Sequence, residues 1–295
     1  MNAKTVDRTG LIQILSCYLI WGLFPLYWYP LVNYPADQLL AHRIVWGSLF
    51  AMIAVVLTTQ SKALWQALTN KKVLLVFLLC ASLLAVNWLT YLVTITTKQV
   101  LQASLGYFLA PLITILCARI FLKEQLNTIK IIALALAFAG VVWLAMLAGH
   151  LPWLGIVIAL TWGVYGLVRK LAPLPALLGF TVETLLLLPI TLLFLTWHQA
   201  NQTLVFLQLS PFLIAILVGS GLVTMIPLLL FASASKKIPL SLLGILQYIT
   251  PTIQFLLGIF VFHELFDLNR FIGYVWVWLG VALFVYASFR HTKNS

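Results

Sequence analysis

Acidic residues are almost absent. Six Asp and Glu stand against 17 Lys and Arg in 295 residues, and only 8% of the chain is charged. Soluble domains carry about 25% charged residues, so this shortage excludes an ordinary water-soluble globule. Cysteine is scarce as well: Cys17, Cys80 and Cys117 each fall inside an apolar run. Small buried cysteines of this kind form neither a disulfide framework nor a metal-ligand spacing. Histidine is thin and scattered, at His42, His150, His198, His263 and His291. Five of the six acids lie at loops or segment ends. No paired carboxylates, His/Glu metal cluster or nucleophile–base set is legible, which argues against an enzyme and calls for no cofactor or metal. Long polar linkers are missing too, so no room remains for a soluble domain.

What is present is apolar: 63% of residues are hydrophobic and the mean hydropathy is +1.09. Aromatic residues make up 13%, as expected where rings sit at lipid–water boundaries. A helix crossing the hydrocarbon needs about 20 apolar residues. That rule places ten spans, at 11–31, 38–59, 73–96, 100–122, 129–148, 151–170, 176–197, 211–232, 240–262 and 269–289. The fold class is therefore an all-α polytopic membrane protein, with the lipid bilayer as one partner and an oligomeric state, monomer or homodimer, left open. The first span runs on into "LFPLYWYP" with no cleavage site, and reads as a retained helix rather than a removed signal.

Basic residues in loops orient such a protein. With the N-terminus cytoplasmic, Lys4, Arg8, Lys62, Lys71, Lys72, Arg119, Lys123, Lys130, Arg169, Lys170, Lys236, Lys237, Arg290 and Lys293 fall on the cytoplasmic side, 14 of the 17. Lys98 and Arg270 fall outside, with Arg43 near them. Both termini come out cytoplasmic. The net charge of +11 is then an orientation signal, and nucleic acid has no place in the account.

The chain repeats itself. "LAPLITILCARIFLKEQL" (109–126) matches "ITPTIQFLLGIFVFHELF" (249–266), so that Pro111 aligns with Pro251, Glu124 with Glu264 and Gly140 with Gly280, each at an offset of 140 residues. Trp21–Gly22 matches Trp162–Gly163 at an offset of 141. Residues 11–148 and 151–289 thus form two five-helix repeats. An odd number of helices sends the second copy through the membrane upside down, the inverted architecture of many secondary transporters, with substrate bound between the halves. Duplication also builds channels, and an uncoupled facilitator or channel remains the alternative.

A helix with an internal proline, a glutamate at its end and a glycine late in the next helix resembles the drug/metabolite transporter superfamily, in its ten-helix EamA-type branch. "YLIWGLFPLY", "HRIVWG", "LQASLGYFLAPL", "YGLVRK", "VETLLLLP", "GILQYITPT" and "FHE" resemble the RarD subgroup, named for a link to chloramphenicol sensitivity. The resemblance implies a bacterial inner-membrane carrier, often an exporter of amino acids or other small metabolites. It does not name the solute.

Two charges stand inside spans. Arg43 lies roughly 7 Å from the outer end of its run, within reach of snorkelling. Arginine in hydrocarbon otherwise costs about 3 kcal/mol or more. Adding the repeat offset of 140 to Arg43 gives Glu183, the one acid well inside a span. Its short side chain, roughly 10 Å deep, snorkels poorly. Intramembrane ionisable residues are functional candidates by default. Arg43 suits the anionic group of a substrate, and Glu183 a proton-linked step or an ammonium group. The bland readings are snorkelling for Arg43 and a structural ion pair for Glu183, with Arg43 itself as a partner if both lean across roughly 10 Å or more.

Pro111 and Pro251 read as matched mid-helix kinks, with Pro189 and Pro227 also internal. Near them, Asn87 and Tyr91, Tyr107 and Pro111, Trp162 and Tyr165, and Gln247 and Pro251 share helical faces, with Tyr248 beside Gln247. Such a lining suits a small amphiphilic solute, although rings of this kind also serve plain packing. Glu124 and Glu264 read as dipole partners of the helices that follow them, and Gly106 with Ala110 as a close-packing pair.

Overall fold

A computed structural model describes residues 7–96, 100–147, 153–262 and 268–290. Among them every regular element is helical. In chain order these are α1 (Arg8–Gly22), α2 (Phe24–Trp28), α3 (Ala36–Leu57), α4 (Ser61–Thr69), α5 (Lys71–Thr96), α6 (Val100–Phe121), α7 (Thr128–Leu147), α8 (Trp153–Leu171), α9 (Ala176–Ala200), α10 (Pro211–Lys237), α11 (Leu240–Leu246), α12 (Ile249–Phe260) and α13 (Leu268–Arg290). Among the described residues eight helices are long and apolar enough to cross a bilayer, nine if one bent pair is a single span; Gly106–Phe121 is a shorter apolar helix.

Three local departures from the expected spans have identifiable causes. The first span is not one rod. α1 stops at Gly22 and the chain bends by 42° into α2 and a 3-10 turn at Tyr29–Leu31. Pro25 and Pro30 occupy the first turns of these two pieces, where a proline's missing N–H does no harm. The span at 240–262 is broken at Gln247–Tyr248, ahead of Pro251 rather than at it. Pro251 offers no N–H to the Gln247 carbonyl, which accepts from Thr250 N instead (3.1 Å), and Pro251 sits in the first turn of α12. The sequence reading had no element between the second and third spans. α4 forms there because Leu64 and Ala67 face the core from one side of a short helix.

The helices pack in pairs set by small residues. α7 lies against α13, α6 against α8, and α3 against α9 and α10. A Cβ on Gly140 would lie 2.6 Å from the Gly273 carbonyl, and one on Gly280 would lie 2.6 Å from the Ala133 carbonyl. A Cβ on Gly22 would strike Ile253, and one on Gly163 would strike Ile113. Gly140→Ala is therefore expected to destabilise the protein by about 1–3 kcal/mol, read as a lower melting temperature in detergent. An unchanged Tm would show that α7 and α13 are free to separate.

Candidate functional site

The crossing of α3 and α10 builds the first cluster. Gly47 and Gly221 let the two backbones touch: a Cβ on Gly221 would lie 2.5 Å from the Trp46 carbonyl carbon. One turn away, this contact sets Arg43 beside Thr224, whose Oγ1 accepts from Arg43 Nε at 2.6 Å. The guanidinium lies over the Trp88 ring at 4.7 Å and near Phe24 at 5.9 Å, a cation–π arrangement. The Tyr91 and Tyr107 rings lie 5.9 Å apart, tilted at 59°, and close enough to act electrostatically on Arg43. Arg43 is half-buried, and Tyr91 is 40% exposed. Among the described residues no carboxylate reaches Arg43.

Glu183 does not meet Arg43. Its partner is Arg169, with Nε 3.4 Å from Oε1 and both side chains 1% exposed. Tyr165 donates to Glu183 Oε2 at 3.3 Å, and the Cys80 thiol stands against the same carboxylate. Arg169 also donates to the Ala176 carbonyl (3.3 Å) and lies 5.4 Å from the Phe77 ring centre. It has room because position 179 is glycine. A Cβ there would fall on Arg169 Nη1. The pairing is loose, since Arg169 Nε and Nη1 and Glu183 Oε1 make no hydrogen bond within the described structure.

Arg169 reads in the sequence as a loop cation, and its burial against Glu183 is the feature of this cluster that such a reading does not announce. A signal was present, for Trp162, Tyr165 and Arg169 recur at helical spacing and place Arg169 on the polar-aromatic face of α8. Above the ion pair that face continues as an aromatic cluster. Trp162 meets Trp21 edge-on at 5.1 Å and Phe231 at 5.2 Å.

The other candidates have structural partners. Asn87 donates to the Ile158 carbonyl and to Thr161, both at 2.9 Å, tying α5 to α8. Tyr248 donates to the Phe108 carbonyl (3.0 Å), tying the α11–α12 break to α6. Gln247 is buried beside it, its side-chain oxygen without a partner among the described residues. Pro111 and Pro227 lie buried inside α6 and α10, whereas Pro189 sits on the exposed face of α9 and lines no interior. His42 stacks on Phe206 at 4.7 Å, and Gln38 holds the same α9–α10 connection through Thr203 O and Val205 N.

Glu124 does not serve the helix that follows it. Asn127 already accepts from Lys130 N at the start of α7 (2.9 Å). Glu124 instead takes Leu240 N (2.7 Å), Ser241 N (3.0 Å) and Ser241 Oγ (2.6 Å), the start of α11. Glu264 lies outside the described residues.

The EamA-like transporter family matches this chain twice, over residues 8–146 and 152–286. The uncharacterized transporter YojE of Bacillus subtilis is 36% identical over 291 residues, covering 98% of this chain and 97% of its own. Protein RarD of Salmonella typhimurium is 35% identical over 285 residues, covering 97% of each chain. One solved crystal structure, 19% identical, superposes with a TM-score of 0.74 over 99% of this chain and 100% of its own, a likeness of fold alone.

Proposed function

This chain belongs to the EamA-like transporter family, and from that premise we propose that it exports a small organic metabolite, amino-acid-like or amphiphilic, across the bacterial inner membrane by alternating access. The two halves act as inverted five-helix repeats within ten spans, with both termini cytoplasmic. Contacts that recur in pairs support the repeat. Gly140 on Gly273 has its counterpart in Gly280 on Ala133, each residue displaced by 140, and Gly22 on Ile253 has one in Gly163 on Ile113. Trp21 and Trp162, matched in sequence, touch each other. Reciprocal pairs of this form are what a two-fold axis generates.

The observation that carries the reading is Arg43: a half-buried cation among aromatic rings, bonded to the Thr224 hydroxyl and facing no acid among the described residues. A guanidinium of this kind recognises a carboxylate or similar anion, and the rings receive the solute's apolar part. Glu183 is the group that exchanges a proton, coupling efflux to the proton gradient.

The test compares metabolites in medium and cells between deletion and overexpressing strains, then moves the leading solute into proteoliposomes under an imposed pH gradient. Concentrative transport separates a coupled carrier from a facilitator or channel. Glu183→Gln is expected to keep solute binding and lose gradient-driven accumulation. A Glu183→Gln protein that still accumulates solute against its gradient removes the proton role.

A further inference from the structure

At the lysine-rich end, three bonded contacts cross between elements that are not joined in sequence. Lys170 Nζ, on the last turn of α8, donates to the Ser235 and Ile238 carbonyls at 2.6 and 2.7 Å, the end of α10. Lys236 Nζ, on the last turn of α10, donates back to the Ala172 and Leu174 carbonyls at 2.8 and 2.6 Å, in the connection from α8 to α9. Each lysine thus satisfies carbonyls that a helix end leaves open, and favours the negative end of a helix dipole. The third contact is the grip of Glu124 on the start of α11. Lys123 adopts the left-handed conformation (φ 53°) and Glu124 N bonds to the Ala118 carbonyl, a turn that aims the carboxylate away from α6.

Arg169 and Lys170 are consecutive. On a helix they point about 100° apart. One meets Glu183 and the other holds α10. We infer that the last turn of α8 is a coupling element, in which Arg169 reads the charge of Glu183 and Lys170 holds the lysine-rich end closed.

This inference rests on the reading of Glu183 as the proton site. The groups facing the carboxylate are Cys80 from α5 and Tyr165 and Arg169 from α8, and Lys236 from α10 lies electrostatically behind Arg169. α3 and α4, which also pack on α9, bring no ionisable group against it among the described residues. When Glu183 takes a proton from hydronium, one O–H bond of the donor breaks and leaves water, one O–H bond forms on the carboxylate, and the carboxylate loses its charge. Arg169 is then a buried cation without a counter-ion, which is unfavourable. Its remaining bond is to Ala176 O, at the lysine-rich end, and Gly179 puts no Cβ in its way. Movement of the guanidinium towards water draws the last turn of α8 with it, and Lys170 loses its two carbonyls. Loss of the proton restores the pair and the closure.

The test is amide hydrogen exchange on the full chain in lipid nanodiscs from about pH 5 to about pH 8, corrected for the intrinsic exchange rate. In the wild type, protection over 171–176 and 236–243 is expected to fall roughly tenfold on acidification, with α7 and α13 unchanged. Glu183→Gln is expected to lose that pH dependence and stay unprotected throughout. Lys170→Gln is expected to be unprotected throughout with Glu183 intact. Protection that is flat with pH in the wild type, or an unaltered pH profile in Glu183→Gln, overturns the inference. Should Glu183→Gln not fold, the wild-type profile and Lys170→Gln still decide. If Glu183→Gln loses gradient coupling in proteoliposomes while these segments behave as in the wild type, the proton site stands and the coupling element falls. If coupling persists in that variant, the proton site itself falls.

Discussion

Arg43→Ala is expected to weaken binding of an anionic solute roughly tenfold to a hundredfold, and its uptake into proteoliposomes with it, while leaving the protein folded. To the fold the guanidinium contributes a charge-assisted bond from Nε to Thr224 Oγ1 at 2.6 Å and contacts with the Trp88 and Phe24 rings, so its loss costs stability about 1.5–3 kcal/mol. A charge-assisted contact to a solute carboxylate is worth about 1.5–3 kcal/mol, or roughly tenfold to a hundredfold in affinity. Arg43→Lys keeps the charge but not the planar group that lies over Trp88 at 4.7 Å, and is expected to recover only part of the activity. The decisive measurement is the solute's dissociation constant against melting temperature. A variant whose affinity is unchanged would reduce Arg43 to an anchor that reaches for water.

Arg169→Leu is expected to produce the largest loss of stability of any single change considered. It leaves Glu183, 1% exposed, without a counter-ion, and breaking a buried pair from one side costs about 3–5 kcal/mol. Replacing both members, Arg169→Leu with Glu183→Leu, removes both charges and is expected to return most of the melting temperature without returning coupled transport. Stability lost in the single variant and regained in the double one is the signature of a pair. A single variant as stable as the wild type would mean that Glu183 is satisfied by Tyr165 and Cys80 alone. Gly179→Ala tests the same pair from its third side, since the added methyl falls on Arg169 Nη1.

Much of this was legible before any coordinates. The apolar runs placed the helices to within a few residues, because a backbone in lipid must satisfy its own hydrogen bonds. Arg43 and Glu183 stood out because charge inside such a run is costly. The offset of 140 residues predicted which small residues have counterparts, and Gly140 and Gly280 both sit at close helix contacts. Pro251 was expected as a mid-helix kink, and it sits instead in the first turn of α12, after a break at Gln247–Tyr248. A missing N–H can be answered by bending a helix or by interrupting it, and the local sequence does not choose.

The partners were not legible. Arg169, at the end of its span, reads as a loop cation as readily as a buried one. Its use is decided by Gly179 and Phe77, on other helices. Glu124 precedes α7 in sequence but caps a helix 116 residues further on, because α6 and α11 pack together and Asn127 has already capped α7. By itself, then, the sequence determined which segments are long and apolar enough to cross a membrane and that Arg43 and Glu183 lie inside such segments, since both follow from position along the chain. Only the tertiary structure decided that Arg169 answers Glu183 and that Arg43 lies among Trp88, Phe24 and Thr224. Pairing depends on the rotation and approach of whole helices, and those are set by glycine contacts between segments far apart in the chain.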